Sequence, residues 1–553
     1  MRLLPTVLAA LLAPLACQAA PAGTSIADAH RMSENVRVLA SDAFEGRGPA
    51  TPGEAKTVEF LIGRFKALGL QPGGENGGWT QAVTLNRFVT QKPLTAAFRV
   101  GGEAVPLTFA ENVVVQTRRP GADHVRVVDA PLVFVGYGVS APERGWDDYK
   151  GVDLKGKVAV VLVNDPDFAT PEPGKFGGAT MTYYGRWTYK FEELARQGAL
   201  GVLIVHETPA AGYPWYVVRN SWSAPQFDIP RDPRERALVE GWITRATAED
   251  LFRRAGLDYD QLKLDAQKAD FHPTVLKNAT FSTDFNVQIT SIVSRNVIAK
   301  LPGTGAPQDV VLYGAHWDHL GRAGADLKGD DIYNGAADNA TGVAGLLELA
   351  HAFAQAPRTR RTVVFAAWTA EEKGLLGSEY YAGHPIYPLA RTVANLNMDM
   401  LAIFGATRDV VITGAGKDDL EDDVAAAARA QGRVIDPEPH PEVGGYYRSD
   451  HFSLAKAGVP AVDMHAGPDL VNGGREAGMK ASADFTANHY HQPSDEWRAD
   501  WDLSGAQQDL DLLYKVGRDL AQSNRWPAWR ADAEFKPARD ASAALRTATG
   551  SAR

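Results

Sequence analysis

The sequence predicts an α/β fold in which a doubly wound, mixed but largely parallel sheet is flanked by helices and carries an inserted β-rich domain. Three short apolar runs predict the sheet: DVVLYGAH, RTVVFAAW and TVANLNMD. Helix-like sequence such as DNATGVAGLLELAHAFAQ lies between them, which indicates parallel strands joined by crossover helices. This alternation extends from about residue 288 to about residue 525.

The earlier part of the chain divides into two segments of different character. SENVRVLASDAFEGRG opens a helix–loop–helix pattern, and short strand-like runs follow up to about residue 115. PLVFVGYGV, KGKVAVVLVND and LGVLIVHE then surround the helical FEELARQGA, as in a small β-rich domain. The predicted organisation is a signal peptide at 1–20, the first part of the main domain at 21–115, the insert at 116–287, the main domain at 288–525 and a tail at 526–553.

The N-terminus, MRLLPTVLAALLAPLACQAAPAG, has the pattern of a secretory signal peptide cut near Ala19 or Ala20. We therefore expect an exported protein, periplasmic or extracellular. A lipid anchor at Cys17 is an alternative, but Pro14 stands where lipoprotein signals usually carry Leu. No other run approaches the length needed to span a membrane, so the mature chain is expected to have no transmembrane segment.

Composition excludes two broad classes of protein. With 553 residues, of which 45% are hydrophobic and 22% charged, the chain has enough apolar material for two or three folded domains and is not disordered as a whole. The net charge of −10 leaves no basic stripe to neutralise phosphates, so nucleic acid is not an expected partner.

Polar residues follow each of the three predicted strands. In open α/β sheets the site lies at the carboxyl ends of the strands, where these side chains and those of the neighbouring loops would meet. Two imidazoles and three carboxylates suit zinc, and five such groups serve two metals only if one carboxylate bridges. The five candidate ligands are His316, Asp338, Glu372, Asp399 and His491.

Each residue also has an ordinary structural interpretation. The adjacent Glu371 and Glu372 suit the first turn of a solvated helix, Asp338 a helix N-cap, and Asp399 a turn. Taken singly these interpretations are favoured, and His351 is expected to be a packed or surface histidine. For the acidic residues the metal-site interpretation is favoured over these ordinary ones, because candidate ligands follow all three predicted strands.

The motifs HWD, ADNATG, AEEKGLLGS, MD and YHQPSD together resemble those of the co-catalytic zinc aminopeptidase family, which includes bacterial secreted leucine aminopeptidases. Glutamate carboxypeptidase, glutaminyl cyclase and the transferrin receptor are more distant relatives. LASDAFEGRG is similar to the start of that catalytic domain, and the insert resembles a protease-associated domain. The resemblance covers most of the chain from about residue 24 to about residue 525.

The resemblance implies two Zn²⁺ per chain. One zinc would be bound by His316, Asp338 and Asp399, and the other by Asp338, Glu372 and His491, with Asp338 bridging.

Three further roles follow from the same resemblance. Glu371 would be the general base, and Asp318 would orient the imidazole of His316. Tyr490 would hydrogen-bond the developing oxyanion, although an aromatic wall of the pocket is an equal alternative.

The expected activity is that of a zinc aminopeptidase acting on peptides with a free N-terminus. A carboxypeptidase or dipeptidase of the same fold, a glutaminyl cyclase with one metal, and a catalytically silent binding protein are the alternatives. A carboxypeptidase would need a cationic clamp, for which Arg448 and Arg475 are candidates.

The remaining polar residues near the motifs are weaker predictions. The SDH motif, residues 449–451, is expected to support the site structurally, and the loop 466–488 to be either a lid or a plain surface loop. The expected pocket-lining residues are His319, His440, His465 and His489.

Overall fold

A computed structural model describes residues 25–170 and 174–547 of the chain. The predicted signal peptide, its cleavage site and Cys17 lie outside the described residues. Within the described part, none of the helices combines the length and apolar character that crossing a bilayer requires.

The first part of the chain contains two helices and then short strands. Asp28 caps the first helix by accepting a hydrogen bond from the Arg31 backbone N–H at 3.0 Å, and Pro52 stands at the start of the second. The elements are α1 Ala29–Leu39, α2 Pro52–Ala67, β1 Gln71–Pro72, β2 Thr80–Thr90, β3 Thr95–Val100, β4 Glu103–Leu107 and β5 Val113–Gln116.

The next region alternates buried strands with short helices. Strands such as VAVVL and GVLIVH are buried at every position, as expected for strands covered on both faces. The elements are β6 His124–Phe134, β7 Ser140–Ala141, β8 Trp146–Asp147, β9 Val158–Leu162, α3 Trp187–Arg196, β10 Gly201–His206, α4 Thr208–Ala211, α5 Trp215–Ser223, β11 Gln226–Asp228, β12 Val239–Thr244, α6 Arg245–Arg254 and α7 Tyr259–Asp265.

The rest of the chain begins with one long strand and continues as alternating strands and helices. The elements are β13 Thr274–Leu301, β14 Ala306–His316, β15 Gly321–Arg322, β16 Ile332–Tyr333, α8 Thr341–Gln355, β17 Arg361–Trp368, α9 Leu376–Gly383, β18 Thr392–Asn397, β19 Asp409–Ile412, α10 Leu420–Ala430, β20 Val434–Asp436, α11 His451–Lys456, β21 Ala461–Ala466, α12 Gly474–Asn488, α13 Ser504–Gln522, α14 Lys536–Ala541 and α15 Ala543–Thr547.

The central sheet confirms the predicted fold class. Its order is β11–β2–β13–β17–β14–β18–β21–β19–β20. The pairs of β14 with β17 and β18, and of β18 with β21, are parallel, whereas the β2–β13 and β13–β17 pairs are antiparallel. The sheet is therefore mixed, with a parallel centre.

A second sheet has the order β4–β3–β13–β6–β9–β10–β12–β5. It begins at Thr95, earlier than the predicted insert boundary at residue 116. Strand β13 belongs to both sheets, since residues 279–286 pair with β3 and β6 and residues 287–297 pair with β2. A boundary inside a continuous strand leaves no loop or composition change that the sequence would reveal.

Helices cover both faces of the central sheet. Along β14, Val311 and Tyr313 join the core that includes α8 and α13, while Val310 and Leu312 join a smaller core with Leu454 of α11. This alternation is the period-two pattern of a strand buried on both faces.

The segment 466–488, predicted as a loop or lid, is largely the helix α12. The helix packs closely against the preceding turn, because a Cβ on Gly478 would lie 2.0 Å from the carbonyl oxygen of Pro468. The glycines that suggested a loop therefore permit a close helix contact instead.

Candidate active site

Three parallel strands bring the predicted residues to one edge of the sheet. In the register, His316 at the end of β14 pairs with Trp368 at the end of β17, and Gly314 pairs with Asn397 at the end of β18. The residues immediately after β17 and β18 therefore lie beside His316.

The first group of facing side chains surrounds His316, which is fully buried. Its Nε2 lies 3.1 Å from Asp399 Oδ1, 3.3 Å from Asp338 Oδ1 and 4.0 Å from Glu371 Oε2. One imidazole nitrogen thus faces oxygens of three carboxylates.

The second group surrounds Glu372 and contains two imidazoles. His491 Nε2 lies 3.3 Å from Glu372 Oε2 and 3.2 Å from Asp338 Oδ2. His319 Nδ1 lies 2.6 Å from Glu372 Oε1 and 3.9 Å from Asp338 Oδ2. His319, predicted only to line the pocket, is therefore a member of this group.

Asp338 faces both groups. Its Oδ1 is directed to His316 and its Oδ2 to His491 and His319, and only 4% of the residue is exposed. A single carboxylate with one oxygen in each group has the placement that a bridging ligand requires.

The loop of Asp338 is tied to the loop of Asp399 through Asn339. Its amide oxygen accepts hydrogen bonds from the backbone N–H groups of Gly342 at 2.9 Å and Met400 at 3.1 Å, and its Nδ2 donates to the Met398 carbonyl at 3.0 Å. The two carboxylates are thereby held in fixed relative positions.

Asp495 secures the same loop from the other side. Its carboxylate accepts hydrogen bonds from the backbone N–H groups of Ala337 at 2.9 Å and Asp338 at 3.1 Å, while its own carbonyl accepts from Ala336 N–H at 3.0 Å. Asp495 closes the YHQPSD motif, so this contact also fixes the segment that carries His491.

A buried arginine connects the residue after His316 with the loop that precedes Asp338. Arg47, only 1% exposed, donates from Nε to the Trp317 carbonyl at 2.9 Å and from Nη2 to the Gly335 carbonyl at 2.6 Å. Its Nη1 also donates to the carbonyls of Leu39 and Asn334. Burial lowers the pKa of Arg47 to about 10, and the nearby acids, Asp495 first, oppose that shift.

Asp318 connects His316 with the Glu371 turn. Its Oδ1 accepts a hydrogen bond from the Glu371 backbone N–H at 3.0 Å. The His316 Nδ1 contact is made at 3.0 Å with the carbonyl oxygen of Asp318, and the carboxylate lies farther away at 3.9 Å. The side chain thus positions Glu371, while the main chain of the same residue contacts His316.

The adjacent glutamates differ in their electrostatics. Burial raises the pKa of Glu371 well above its usual range, and the charges of Asp399 and Glu372 add to this although His316 opposes it. Burial would also raise the pKa of Glu372, but the imidazoles of His491 and His319 outweigh it and lower that pKa to about 2. Of the two, Glu371 therefore holds a proton more tightly and is the stronger base.

The donor set can be tested against a divalent metal. Buried polar atoms without a hydrogen-bond partner among the described residues cluster here, including both ring nitrogens of His319, Glu372 Oε1 and Asp318 Oδ2. Two trios have ligand atoms within 4.8 Å of one another, close enough to share an ion, namely His316 with Glu371 and Asp399, and His319 with Asp338 and Glu372. Imidazole nitrogens and carboxylate oxygens fit Zn²⁺.

Tyr490 lies beside the second group. Its ring stacks on that of His491 with centroids 4.0 Å apart, and burial raises its pKa well above the usual range. A phenol with a raised pKa remains a hydrogen-bond donor at neutral pH.

Other predicted residues lie outside the two groups and have partners of their own. His440 contacts Glu442 and is 73% exposed, and His465 contacts Asp463 at 3.1 Å. His489 lies 2.9 Å from the Ser494 carbonyl oxygen. These contacts give the three histidines local structural roles.

The fold and the two facing groups define the class of protein: an α/β protein with a buried imidazole–carboxylate site suited to a pair of metals. Residues 296–514 match the model of Peptidase family M28. This region contains all five predicted ligands, and the match confirms the predicted family for this part of the chain.

The chain is also similar to two curated proteins over part of its length. One is the probable lipoprotein aminopeptidase LpqL of Mycobacterium tuberculosis, 29% identical over 37% of this chain and 41% of that protein. Another is leupeptin-inactivating enzyme 1 of Streptomyces exfoliatus, 30% identical over 40% of this chain and 45% of that protein. Each match therefore spans less than half of the relative.

Solved structures resemble the chain over most of its length. An aminopeptidase from Aneurinibacillus sp. strain AM-1 is 20% identical, covers 90% of this chain and 95% of its own, and superposes with a TM-score of 0.48. A zinc aminopeptidase from Bacillus subtilis is 18% identical with a TM-score of 0.43, covering 90% of this chain and 96% of its own.

Sequence reasoning did not assign Arg47, Asn339 or Asp495 to the site. Arg47 and Asp495 lie inside motifs that were recognised, EGRG and YHQPSD. Their neighbouring residues were a usable signal, but their hydrogen bonds to distant backbone groups are visible only in the fold.

Proposed function

We propose that the chain is an exported zinc metallopeptidase that removes residues from the free N-termini of peptides. The observation that carries this proposal is the placement of Asp338, with one carboxylate oxygen in each of two groups of metal-binding side chains.

We assign the ligands as the family resemblance implies. His316, Asp338 and Asp399 would hold one zinc, and Asp338, Glu372 and His491 the other. The distances of 3.1 to 3.3 Å between the imidazole nitrogens and carboxylate oxygens of the assigned ligands support this assignment. Zinc at these positions would supply a Lewis acid to the scissile carbonyl and lower the pKa of a water.

Glu371 would act as the general base. Its backbone is held by Asp318 and its carboxyl has a raised pKa, so the carboxylate can take a proton from the attacking water and deliver it to the leaving amine. Tyr490 would donate a hydrogen bond to the oxyanion that forms on the scissile carbonyl.

The amine end of the substrate is favoured by the surrounding charge. Asp338, Glu371, Glu372 and Asp399 concentrate carboxylates at the site, which suits a cationic α-amine. Arg475, a candidate clamp for a terminal carboxylate, is instead paired with Asp436 at 2.6 Å and Asp409 at 3.3 Å. A carboxypeptidase or dipeptidase remains the second candidate, and Arg448 is the residue that would serve it.

Export and the nature of the insert are part of the proposal. The signal-like N-terminus supports a periplasmic or extracellular location, with a lipid anchor at Cys17 as the alternative. The second sheet, with parallel β6, β9, β10 and β12 at its centre, supports a protease-associated domain.

The test is hydrolysis of leucyl-alanine amide and of its N-acetylated counterpart by the zinc-loaded protein. We expect release of leucine from the free-amine substrate only, with no release by the Glu371→Gln variant. Equal cleavage of both substrates would overturn the aminopeptidase assignment. Inactivity of the zinc-loaded wild type on every peptide would favour a silent binding protein.

A further inference from the structure

A short turn between β17 and α9 carries the proposed general base. It runs from Thr369, the residue after β17, to Gly377 near the start of α9, and Glu371 lies within it. The turn closes on itself, since the Gly377 backbone N–H donates to the Thr369 carbonyl at 3.0 Å. We call residues 369–377 the base turn.

The base turn has a strained backbone. Ala370, directly before Glu371, has a φ of +53°, and Leu375 has a φ of +62°. Residues with a Cβ rarely adopt this left-handed conformation, because the Cβ then lies too close to the neighbouring backbone. Such a conformation persists only where the surrounding structure holds it. The position of Glu371 therefore depends on the groups that bind the turn.

Asn296 of β13 binds both ends of the base turn. Its Oδ1 accepts a hydrogen bond from the Thr369 backbone N–H at 3.0 Å, and its Nδ2 donates to the Gly377 carbonyl at 2.9 Å. The approach is close, because a Cβ on Gly377 would lie 2.6 Å from Asn296 Oδ1. Asn296 is fully buried, so bulk water does not compete for these hydrogen bonds.

Gln81 fixes the orientation of the Asn296 amide. The two residues face each other in the β2–β13 pair. Gln81 Nε2 donates to the His384 carbonyl at 2.7 Å, which leaves its Oε1 to accept from Asn296 Nδ2 at 3.1 Å. The amide nitrogen of Asn296 therefore faces Gln81 and Gly377, and its oxygen faces Thr369.

Ser294, two residues earlier on the same strand, binds the side chain of Thr369. Alternate residues of a strand point to the same face. The Ser294 and Thr369 hydroxyl oxygens lie 2.5 Å apart, and the Ser294 hydroxyl donates to Glu54 Oε2 at 2.7 Å. Because the Ser294 proton is directed to Glu54, the Thr369 hydroxyl is the donor to Ser294. Thr369 is thus held by its backbone and by its side chain.

The same segment of β13 is also connected to His316. Trp317, the residue after His316, donates from Nε1 to the Arg295 carbonyl at 2.9 Å. Arg295 lies between the two residues that hold the base turn. Strand β13 therefore holds the base turn and His316 in fixed relative positions.

We propose that Asn296 and Ser294 are positioning residues for Glu371. The proposal rests on the proposed peptidase function and deepens it. Both residues act through the base turn and not through contact with the substrate. They hold the strained turn so that the Glu371 carboxylate meets the attacking water in the geometry that proton transfer needs. A displacement of about 1 Å at a reacting group can cost about 100-fold in rate.

The kinetic test compares zinc-loaded Asn296→Ala with wild type on leucyl-alanine amide. We expect kcat to fall about 10- to 100-fold while KM and zinc content stay unchanged. The loss should be smaller than in Glu371→Gln, because Asp318 still holds the Glu371 backbone N–H. An unchanged kcat would overturn the proposal and leave the peptidase proposal intact. A fall in zinc content that accounts for the lost kcat would also contradict it.

Ser294→Ala is a milder second variant, and it decides the question if Asn296→Ala yields no folded protein. Loss of one hydroxyl contact should lower kcat about three- to tenfold, again with KM and zinc content unchanged. The matched control is Asn286→Ala, at an exposed asparagine of the same strand, whose kcat should equal that of wild type. A wild-type kcat in Ser294→Ala, or an equal fall in the control, would contradict the proposal.

Hydrogen–deuterium exchange tests the contacts of the base turn without turnover. The full-length protein is incubated with zinc and without substrate. Peptides that cover the base turn should exchange at least about tenfold faster in Asn296→Ala than in wild type, because the Thr369 N–H loses its acceptor. Peptides that cover β10 should exchange as in wild type. Equal exchange of the base turn in both proteins, or faster exchange in β10 as well, would overturn the proposal even if the protein hydrolysed no peptide.

Discussion

His319 Nδ1 lies 2.6 Å from Glu372 Oε1, although the two atoms are not aligned for a hydrogen bond. His491 Nε2 approaches the other oxygen of the same carboxylate at 3.3 Å. His319 is fully buried, whereas the His491 side chain is 38% exposed. Glu372 therefore has an imidazole at each oxygen, one inside the protein and one at the opening.

This arrangement predicts different metal contents for two histidine variants. Wild type should retain two zinc ions per chain after dialysis against zinc-free buffer, and His491→Gln should retain one. His319→Gln should retain both but bind the second about 10- to 100-fold more weakly, as for loss of a group that orients a ligand. Metal analysis by mass spectrometry, with competition by a chelator, measures both quantities. If His319→Gln retained one zinc and His491→Gln retained two, His319 would be the ligand.

Substitution of the two adjacent glutamates by glutamine should have different effects on kcat and on zinc content. Glu371→Gln should keep both metals and lose about 10²- to 10⁴-fold in kcat, because the amide cannot accept the proton of the attacking water. Glu372→Gln should lose metal first and activity as a consequence. Measuring kcat and zinc content on the same samples distinguishes them. If the Glu371 variant lost zinc and the Glu372 variant did not, the two roles would be exchanged.

Removing the buried guanidinium of Arg47 should destabilise the protein strongly. Arg47→Met leaves the carbonyls of Trp317, Asn334 and Gly335 without their donor, so we expect a loss of at least about 3 kcal/mol in the free energy of unfolding. Arg47→Lys should recover only part of the lost free energy of unfolding, because an ammonium lacks the planar, forked arrangement of N–H donors of a guanidinium.

Urea unfolding of the metal-loaded protein measures the effect of Arg47. The control is Arg37→Gln on α1, where an exposed arginine pairs only with the exposed Glu34, and no measurable change is expected. An Arg47→Met variant as stable as wild type would show that water replaces the guanidinium.

Acid should destabilise the protein through Asp228. Burial alone would raise the pKa of Asp228, but the charges of Arg236 and Arg231 outweigh it and lower the pKa to about 2. A depressed folded-state pKa stabilises the fold above about pH 4 and loses that contribution as the pH falls toward 2. Asp228→Asn should therefore cost at least about 2 kcal/mol at pH 7.

The pH profile provides the check on Asp228. The difference in unfolding free energy between Asp228→Asn and wild type should shrink between about pH 4 and pH 2. Asp500→Asn, at an exposed residue whose partner is the exposed Arg498, should behave as wild type throughout. A difference that stayed constant into acid would mean that Asp228 acts through packing alone.

The sequence predicted the site residues that directly follow the parallel strands. His316, Glu371 with Glu372, and Asp399 follow from one rule, that polar residues after parallel strands meet at one edge of the sheet. Asp338 and His491 were predicted from the loops beside those strands, and the assignment of the five ligands to two metals came from the family resemblance. The fold class followed from the alternating apolar runs and is confirmed.

The contacts that sequence reasoning missed are between distant parts of the chain. Arg47 and Trp317 are 270 positions apart, and Asp495 and Asp338 are 157 apart. A charged residue in a glycine-rich loop has the local pattern of an exposed one, and only the folded chain shows that Arg47 is buried. The sequence also did not reveal that the second sheet begins at Thr95, because β13 runs through both sheets without a break.

Strand β13 has a consequence for the order in which the chain folds during synthesis. Thr90 of β2 pairs with Val287 of β13, so the whole second sheet must emerge from the ribosome before β2 finds this partner. Until then the edge of β2 that faces β13 is unpaired, a hazard for aggregation, although its other edge can pair earlier with β11. Pairing over such a sequence distance is also slow. A nascent chain should therefore need a chaperone, or delayed folding, until residue 297 has been made.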